Sequence, residues 1–273
     1  MQKRVLAVHD ISCVGKCSLT VALPILSAAG LECSVLPTAV LSTHTGGFEG
    51  FTYRDLTDEI SPILAHWKSL DLRVDSIYTG YLGSFRQLEL VNDIFDAFPA
   101  AMKFVDPVMA DNGVLYHGFT PEFASGMAKL CRRADVIVPN LTEGAFLLGE
   151  PYAGESADRT YIEALLRRLS ALGPKIVVLT GVSFEAGKLG AAAYDREKDE
   201  FFYSFAPRVE GYYHGTGDIF GSTLLASLLR GKTTGEAIAV AVDYTVESIR
   251  RTYEAGTDRK YGVDFESGLG RLV

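Results

Sequence analysis

The sequence predicts an α/β fold, with a mainly parallel central sheet, helices on both faces and antiparallel strands appended at one edge. Short apolar runs alternate with longer segments of helical period, the pattern of strands joined by covering helices. The runs are rich in Val, Ile and Leu, as expected for doubly covered strands. With 273 residues, 48% of them hydrophobic, the chain can bury one large core, so we expect a single domain over residues 1–273.

Six apolar runs are predicted to form the parallel part of the sheet. They are Arg4 to His9, Ser34 to Leu41, Asp75 to Thr79, Lys103 to Val105, Asp135 to Val138 and Lys175 to Leu179. After Thr180 the pattern changes, and two runs separated by charged residues that include Arg196-Glu197-Lys198-Asp199 predict an antiparallel hairpin formed by Gly190 to Tyr194 and Glu200 to Phe205.

The segments between these strands carry helix start and stop signals. Glycine or proline follows the last residue of several predicted helices. Thr120 followed by Pro121 is typical of a helix start, with Thr as the N-cap and Pro at the first helical position. The predicted helices are Leu19 to Ala29, Leu56 to Trp67, Phe85 to Phe98, Pro121 to Arg133, Gly217 to Arg230 and Thr234 to Arg251.

Composition excludes several classes of partner. The chain has 26 basic and 34 acidic residues, a net charge of -8, which argues against nucleic acid or an anionic membrane surface. The N-terminal apolar run is too short for a signal peptide, and no run reaches the roughly 18 residues of a membrane span. We therefore expect a cytoplasmic protein. Its cysteines, whose spacings fit neither a zinc ribbon nor a redox pair, should be reduced thiols: Cys13, Cys17, Cys33 and Cys131.

Polar residues follow every predicted parallel strand. Ligands of open α/β sheets bind outside the carboxyl ends of the strands, so these residues should meet at one edge. They are His9-Asp10, Ser42 to Gly47, Gly80 to Ser84, Asp106-Pro107, Asn140 with Glu143, and Thr180-Gly181. Loops are polar in general, but carboxylates, hydroxyls, amides and glycines at a single edge favour a phosphate and metal site.

The segment Gly215-Thr216-Gly217-Asp218 opens an apolar helix. Its backbone N–H groups should therefore face an anion at a helix N-terminus, with glycines allowing close approach. A structural alternative is that Asp218 only caps the helix, a role worth about 1 kcal/mol. The local pattern leaves both interpretations open, and the flanking glycines and His214 favour the functional one.

These segments, in this order and covering nearly the whole chain, resemble the ribokinase-like superfamily and, within it, the pyridoxal/pyridoxamine (vitamin B6) kinases. The resemblance implies that Asp218 deprotonates a hydroxymethyl group while Gly215, Thr216 and Gly217 contribute to an anion hole. It also implies nucleotide and phosphate contacts, which fall on Asp106, Asn140, Glu143 and Thr180. Asp106 and Glu143 would also bind Mg²⁺, partly through water. For Glu143 the residues alone favour an exposed first-turn carboxylate, and for Asp106 a turn residue.

The resemblance also implies a substrate pocket. Its residues are Asp10, His44, Thr45, Gly46 and Tyr81. A structural alternative for His44 is a loop histidine bonded to backbone. Asp10 departs from many pyridoxal kinases, which have serine there, and a carboxylate favours an amine or a ring N–H over an acceptor. The preference between aldehyde and amine substrates is therefore open.

The resemblance implies ATP, Mg²⁺, a monovalent cation such as K⁺ as a further candidate, a B6 vitamer as substrate, and a homodimer. A hydroxymethylpyrimidine kinase of the same superfamily and a non-catalytic B6-binding protein remain as alternatives. The Gly15-Lys16-Cys17-Ser18 segment lacks the earlier glycine of a P-loop, because Asp10 stands there. Glycines near Gly46 and the segment Asp111 to Gly118 are the candidate lids.

Overall fold

The protein is described here from a computed structural model that covers residues 2–154 and 157–273. Its strands are β1 (Arg4–Ser12), β2 (Glu32–Leu41), β3 (Tyr53–Asp55), β4 (Ser76–Thr79), β5 (Met102–Val105), β6 (Ala110–Asp111), β7 (Val114–Leu115), β8 (Val136–Ile137), β9 (Ile176–Val182), β10 (Lys188–Asp195) and β11 (Glu200–Pro207). Its α-helices are α1 (Leu19–Ala28), α2 (Thr57–Ser69), α3 (Phe85–Ala97), α4 (Pro121–Cys131), α5 (Leu141–Leu148), α6 (Arg159–Ala171), α7 (Thr216–Leu229) and α8 (Thr234–Ala255).

Nine strands form one sheet in the order β11-β10-β9-β8-β5-β4-β1-β2-β3. The six strands from β9 to β2 in this order are parallel. The hairpin β10-β11 extends one edge with antiparallel pairing, and β3 pairs antiparallel with β2 at the other. The predicted fold class is confirmed, with β3 as a further antiparallel strand at the second edge.

Two apolar layers cover the sheet because successive strand residues point to opposite faces. Leu6 and Val8 of β1 face a core that contains residues of α2 to α6. Val5, by contrast, faces a core built with α1, α7 and α8. Both faces of the parallel strands are therefore covered, which explains their nearly unbroken hydrophobic composition.

Helix ends follow local capping chemistry. Ser84 and Thr120 accept hydrogen bonds from backbone N–H groups three residues later, at the starts of α3 and α4. Asn140 with Glu143 and Thr233 with Glu236 form capping boxes at α5 and α8. After α8, two 3-10 helices (Arg259–Tyr261 and Glu266–Arg271) bring the chain back to the loop that follows β1.

The sequence prediction gave no bounds for α5 and missed α6, β3 and the small β6-β7 ribbon. The two strands of that ribbon have two residues each, and β3 has three residues that are all exposed. Such short strands show no alternation of apolar and polar residues that a sequence pattern could detect. For α6 the signal was present, because its buried residues recur at helical spacing: Ile162, Leu165, Leu166 and Leu169.

Two strand ends also differ from the prediction. β1 continues to Ser12, so Asp10 lies inside the strand, at a shift in its register with β2. β9 continues to Val182, so Thr180 is a strand residue, and it forms a bridge with Asn140. Within the described residues, no helix combines the length and apolar character needed to cross a membrane.

Candidate active site

The predicted anion hole lies at the N-terminus of α7. Gly215 precedes the helix with φ +77, and a Cβ there would lie 1.9 Å from the Lys16 carbonyl oxygen. Only glycine fits this position without displacing the loop after β1. Gly217 is exposed, and a Cβ there would meet open space. The backbone around Gly217 is therefore open to a ligand.

Asp218 occupies the first turn of α7. Burial raises the pKa of its carboxyl group to about 7, the nearby N–H of Ser18 opposes this rise, and the charge of Asp10 adds to it. A pKa near neutrality suits a general base, because the group is substantially ionised yet accepts a proton readily.

Ser18 links the two carboxylates. Its hydroxyl is close enough to Asp10, and its backbone N–H close enough to Asp218, to oppose the rise that burial causes in the pKa of each carboxyl group. The residue has φ +53, a left-handed conformation that non-glycine residues rarely adopt, and it begins α1 without capping the helix through its side chain. This backbone geometry directs the N–H and the hydroxyl of Ser18 to different carboxylates.

Asp10 lies beside two tyrosine rings. Its side chain is 4% exposed. Burial and then the charge of Asp10 raise the pKa of Tyr81. Burial raises the pKa of Tyr53, on β3, to about 12, and the nearby Tyr81, Asp55 and Asp10 add to this rise in that order. A Cβ at Gly83 would lie 2.9 Å from the Tyr53 hydroxyl and 3.5 Å from the Tyr81 ring, so both rings approach the same backbone. Two aromatic rings therefore lie beside Asp10 in the region where the substrate pocket was predicted.

The loop after β2 is held by its own histidine. The N–H of Gly46 donates to Nδ1 of His44 at 3.1 Å, so Nε2 carries the proton and donates to the Lys260 carbonyl at 2.6 Å. Burial lowers the pKa of His44, which favours this neutral form. Both ring nitrogens are thus bonded to backbone, as in the structural alternative, and only the ring surface of His44 is free to contact a ligand.

Thr45 is exposed and Gly46 approaches a second imidazole. A Cβ at Gly46 would lie 2.4 Å from the His214 ring, whose centre is 4.9 Å from that of His44. His214 directly precedes Gly215, so the loop after β2 contacts the segment that leads into the anion hole. We call Asp10, His44, Tyr53, Tyr81 and Asp218 the substrate side of the site.

Asn140 and Glu143 form a bonded pair at the other end of the site. Oδ1 of Asn140 accepts from the Glu143 N–H at 2.9 Å, and Oε2 of Glu143 accepts from the Asn140 N–H at 2.9 Å. Nδ2 of Asn140 donates to the Ala110 carbonyl, and Oε1 of Glu143 accepts from the Met109 N–H. Glu143 is therefore a first-turn carboxylate of α5, as the residues alone predicted, but it is only 3% exposed rather than on the surface.

Asp106, which follows β5, faces two other acids. It is 7% exposed, and burial together with the charges of Glu143 and Asp218 raises its pKa well above the ordinary range. Burial raises the pKa of Glu143 to about 8. Among the residues that the structure describes, no Lys or Arg forms an ion pair with any of the three. We call Asp106, Asn140, Glu143 and Thr180 the nucleotide side.

Comparison with known proteins decides the family. The phosphomethylpyrimidine kinase family model matches residues 25–263. The chain belongs to this family. A candidate phosphomethylpyrimidine kinase from Bacteroides thetaiotaomicron, solved in a crystal form with pyridoxal, is 41% identical and has a TM-score of 0.95 over 100% of this chain and 96% of that one.

Pyridoxal kinases are also among the relatives. The structure of pyridoxal kinase from Lactobacillus plantarum is 33% identical, with a TM-score of 0.92 over 100% of this chain and 97% of that one. Pyridoxal kinase PdxY of Vibrio campbellii is 30% identical over 245 residues, which are 83% of this chain and 80% of that protein. The resemblance to ribokinase-like B6 kinases is confirmed, and the chain is a kinase. It spans only 40% of the length of a 26% identical bifunctional thiamine biosynthetic enzyme from rice.

In this kinase, three residues beside the predicted site escaped the sequence prediction: Ser18, Tyr53 and Tyr78. Tyr78 is buried, and a Cβ at Gly221 of α7 would lie 2.6 Å from its hydroxyl, so the two elements pack closely beneath the site. Ser18 belongs to the segment rejected as a P-loop; that rejection stands, but the segment packs against Gly215. For Tyr53, on a three-residue strand, the sequence has no signal.

Proposed function

We propose that this kinase transfers the γ-phosphoryl group of ATP to the hydroxymethyl group of a vitamin B6 vitamer. Asp218 is the base, and the backbone of residues 215–218 is the anion hole. One observation carries the proposal: a carboxyl group of pKa about 7 shares a helical turn with backbone left open at Gly217. Alcohol phosphorylation needs such a base and such an anion site side by side.

In the proposed reaction the substrate oxygen attacks the γ-phosphorus. The bond from phosphorus to the bridging oxygen breaks, ADP leaves with that electron pair, and the hydroxyl proton passes to Asp218. The transition state is loose, with charge spread over the equatorial oxygens, so positioning and electrostatic stabilisation contribute most. The N–H groups at the N-terminus of α7 stabilise this charge together with the helix dipole.

Asn140 and Glu143 hold the backbone of the nucleotide side in position. Their hydrogen bonds to each other and to the backbone of residues 109 and 110 fix the end of β8 against the segment after β5. The backbone of Thr180 forms a bridge with Asn140 at the same edge, which supports the assignment of the Thr180 hydroxyl to a phosphate contact. A preorganised shell of this kind needs little rearrangement when the nucleotide binds.

The carboxylates fit a magnesium ion. Asp106, Glu143 and Asp218 are mutually repelling oxygen donors with no cation paired to them, and oxygen donors are what Mg²⁺ prefers. Asp106 and Glu143 would hold the ion largely through water, because in the described part of the chain no three acidic, histidine or cysteine side chains are arranged so that they could hold a metal ion directly. Mg²⁺ supplies charge neutralisation on the phosphates. The monovalent cation remains a prediction from the resemblance.

A B6 vitamer is favoured as substrate by the relatives and by the pocket. The Bacteroides relative was solved with pyridoxal, and the Lactobacillus and Vibrio relatives are pyridoxal kinases. Aromatic rings and a carboxylate suit a small polar heterocycle. Hydroxymethylpyrimidine remains a second candidate because of the matching family model. A non-catalytic B6-binding role is disfavoured by the complete set of Asp218, Asn140 and Glu143.

A panel assay tests the proposal. Purified protein with Mg²⁺ and ATP is incubated with pyridoxal, pyridoxine, pyridoxamine or hydroxymethylpyrimidine, and both ADP and the phosphate ester are measured. We expect turnover of at least one B6 vitamer above that of the pyrimidine. Preferred turnover of the pyrimidine overturns the choice of substrate, and binding of pyridoxal without ester formation favours the non-catalytic role. The cytoplasmic setting and the homodimer remain predictions from the sequence.

A further inference from the structure

Gln87, in the first turn of α3, is a fully buried polar side chain. Its Oε1 accepts from the Gly83 N–H at 2.8 Å. Its Nε2 donates to the Thr38 carbonyl at 3.1 Å and to the Thr57 hydroxyl at 3.0 Å. A carbonyl only accepts and a backbone N–H only donates, so these partners fix the orientation of the amide. The amide therefore joins three separate segments of the chain.

Those three segments hold the two tyrosines of the substrate side. Gly83 comes two residues after Tyr81, and both tyrosine rings approach its backbone. Thr57 begins α2, directly after the strand that carries Tyr53. Thr38 lies on β2, with which that strand pairs, and its hydroxyl donates to the Tyr81 carbonyl at 3.4 Å. The single amide of Gln87 thus ties the backbone near one tyrosine to the backbone near the other.

Helix capping does not account for these bonds. Ser84 and Gln87 have the spacing of a capping box, in which the glutamine side chain bonds the N–H of the cap residue itself. Here the Gln87 side chain accepts from Gly83, one residue before the cap, while Ser84 caps α3 alone. The two bonds from Nε2 reach residues 49 and 30 positions away in the chain. They connect α3 to other elements and add nothing to its own first turn.

We propose that Gln87 is a positioning residue for the substrate side, whose amide sets the placement of Tyr53 relative to Tyr81 and therefore the fit of the vitamer. Its three partners, Thr38, Thr57 and Gly83, lie outside the nucleotide side. Loss of the amide should consequently weaken binding of the vitamer and leave binding of ATP unchanged. This inference rests on the proposed function and adds to it a residue that acts on the substrate without contacting it.

The test separates KM for the vitamer from KM for ATP. Both constants and kcat are measured with pyridoxal, pyridoxine and pyridoxamine for the wild type, Gln87→Met and Gln87→Glu. Met has a similar length but forms none of the three bonds, whereas Glu keeps the acceptor for Gly83 and loses the Nε2 donors. We expect KM for the vitamer to rise about tenfold in Gln87→Met, the scale of one net hydrogen bond, and less in Gln87→Glu. KM for ATP should stay within twofold, by the order of this estimate.

Asn92→Leu is the matched control. Asn92 is a second amide on α3, and its bonds go to the Leu88 carbonyl and to Arg133, away from both tyrosines. Its loss should leave both KM values unchanged. A rise in KM for the vitamer in Asn92→Leu as large as in Gln87→Met would mean that any weakening of α3 has this effect, and would overturn the inference.

A double-mutant cycle asks whether Gln87 acts through the tyrosines. Gln87→Met is introduced into a chain that already carries Tyr53→Ala and Tyr81→Ala. If the amide acts by placing these rings, its loss should change KM for the vitamer little in that background. An undiminished effect contradicts the inference, as does an equal rise in KM for ATP and for the vitamer.

A separate set of results bears on the proposed function. Turnover of no vitamer by the wild type contradicts that function, and titration calorimetry with pyridoxal then decides the inference alone, because it requires weaker binding to Gln87→Met than to the wild type. If neither Gln87 variant folds, Thr57→Val removes only one of the three bonds. It should raise KM for the vitamer and not for ATP, and an unchanged KM for the vitamer would overturn the inference.

Discussion

On the nucleotide side, the side chains of Asn140 and Glu143 are bonded to each other and to neighbouring backbone. On the substrate side, the carboxylates of Asp10 and Asp218 accept few hydrogen bonds, and their negative charges repel each other. Hydrogen bonds to buried groups stabilise the fold when they are complete, whereas repelling buried acids destabilise it. Substitutions of Asn140 or Glu143 should therefore affect folding and catalysis together, and those of Asp10 or Asp218 should affect catalysis alone.

Asp218→Asn should give the largest effect. The amide is nearly isosteric but cannot accept the hydroxyl proton, so kcat should fall by about 10² to 10⁴, the usual contribution of a general base. The variant should also be no less stable than the wild type at pH 8. A carboxyl group with a raised pKa stabilises the fold below its unfolded value of 3.8, and this stabilisation is lost as pH rises through about 7.

Steady-state kinetics and thermal unfolding at pH 8 check this prediction. The control for loss of one negative charge is Asp93→Asn, because Asp93 is an exposed acid on α3. Unchanged kcat would remove Asp218 from the mechanism. A large loss of stability would mean that Asp218 has a structural role as well, and the contrast between the two sides would be weakened.

Glu143→Ala, on the nucleotide side, should differ from Asp218→Asn in lowering the stability of the fold as well as the activity. It leaves the N–H groups of Met109 and Asn140 without their acceptors, at a cost of about 1–3 kcal/mol each in the free energy of unfolding. Glu236→Ala is the matched control, because Glu236 completes the capping box of α8 at an exposed position. Denaturant unfolding and kcat are measured for both variants.

The control should lose about 1 kcal/mol, as for a helix cap, and keep its activity. If Glu143→Ala is no less stable than Glu236→Ala, the bonded network of the nucleotide side does not stabilise the fold.

The pH dependence of kcat/KM should report the raised pKa of Asp218. Because the base must be ionised to accept a proton, kcat/KM should fall about tenfold per pH unit below pH 7 and level off above it. Initial rates over a range of vitamer concentrations at saturating ATP, from pH 5 to 9, give kcat/KM and check this. An acid limb with its midpoint near 4 would show that Asp218 has an ordinary pKa.

Gly262→Ala should give the smallest effect, and on the substrate side alone. Gly262 has φ +90, and a Cβ there would lie 2.7 Å from Lys16 Cβ, next to the Lys260 carbonyl that holds His44. We expect KM for the vitamer to rise several-fold. Gly256→Ala is the control, because Gly256 also has positive φ but no atom within 4 Å of a Cβ. Equal KM values in the two variants would show that the C-terminal segment does not position His44.

Much of the fold and part of the site could be predicted from the sequence, for identifiable physical reasons. The parallel strands are apolar on both faces; Asp106 directly follows β5, and Asn140 comes three residues after the end of β8. Asp10 was assigned to a loop because strand ends depend on pairing partners, which a sequence does not show. Tyr53 and Ser18 reach the site through a three-residue strand and a left-handed backbone, and neither leaves a periodic pattern. The bonding of His44 to Lys260 links residues 216 positions apart.

A crystal structure with a non-hydrolysable ATP analogue and pyridoxamine tests the central claim most directly. We predict the hydroxymethyl oxygen within about 2.6–3.2 Å of an Asp218 carboxylate oxygen, the usual distance for a general base. The γ-phosphate should lie at the N-terminus of α7, against Gly217. A hydroxymethyl group directed away from Asp218, with the phosphate bound elsewhere, would contradict the assignment of Asp218 as the base.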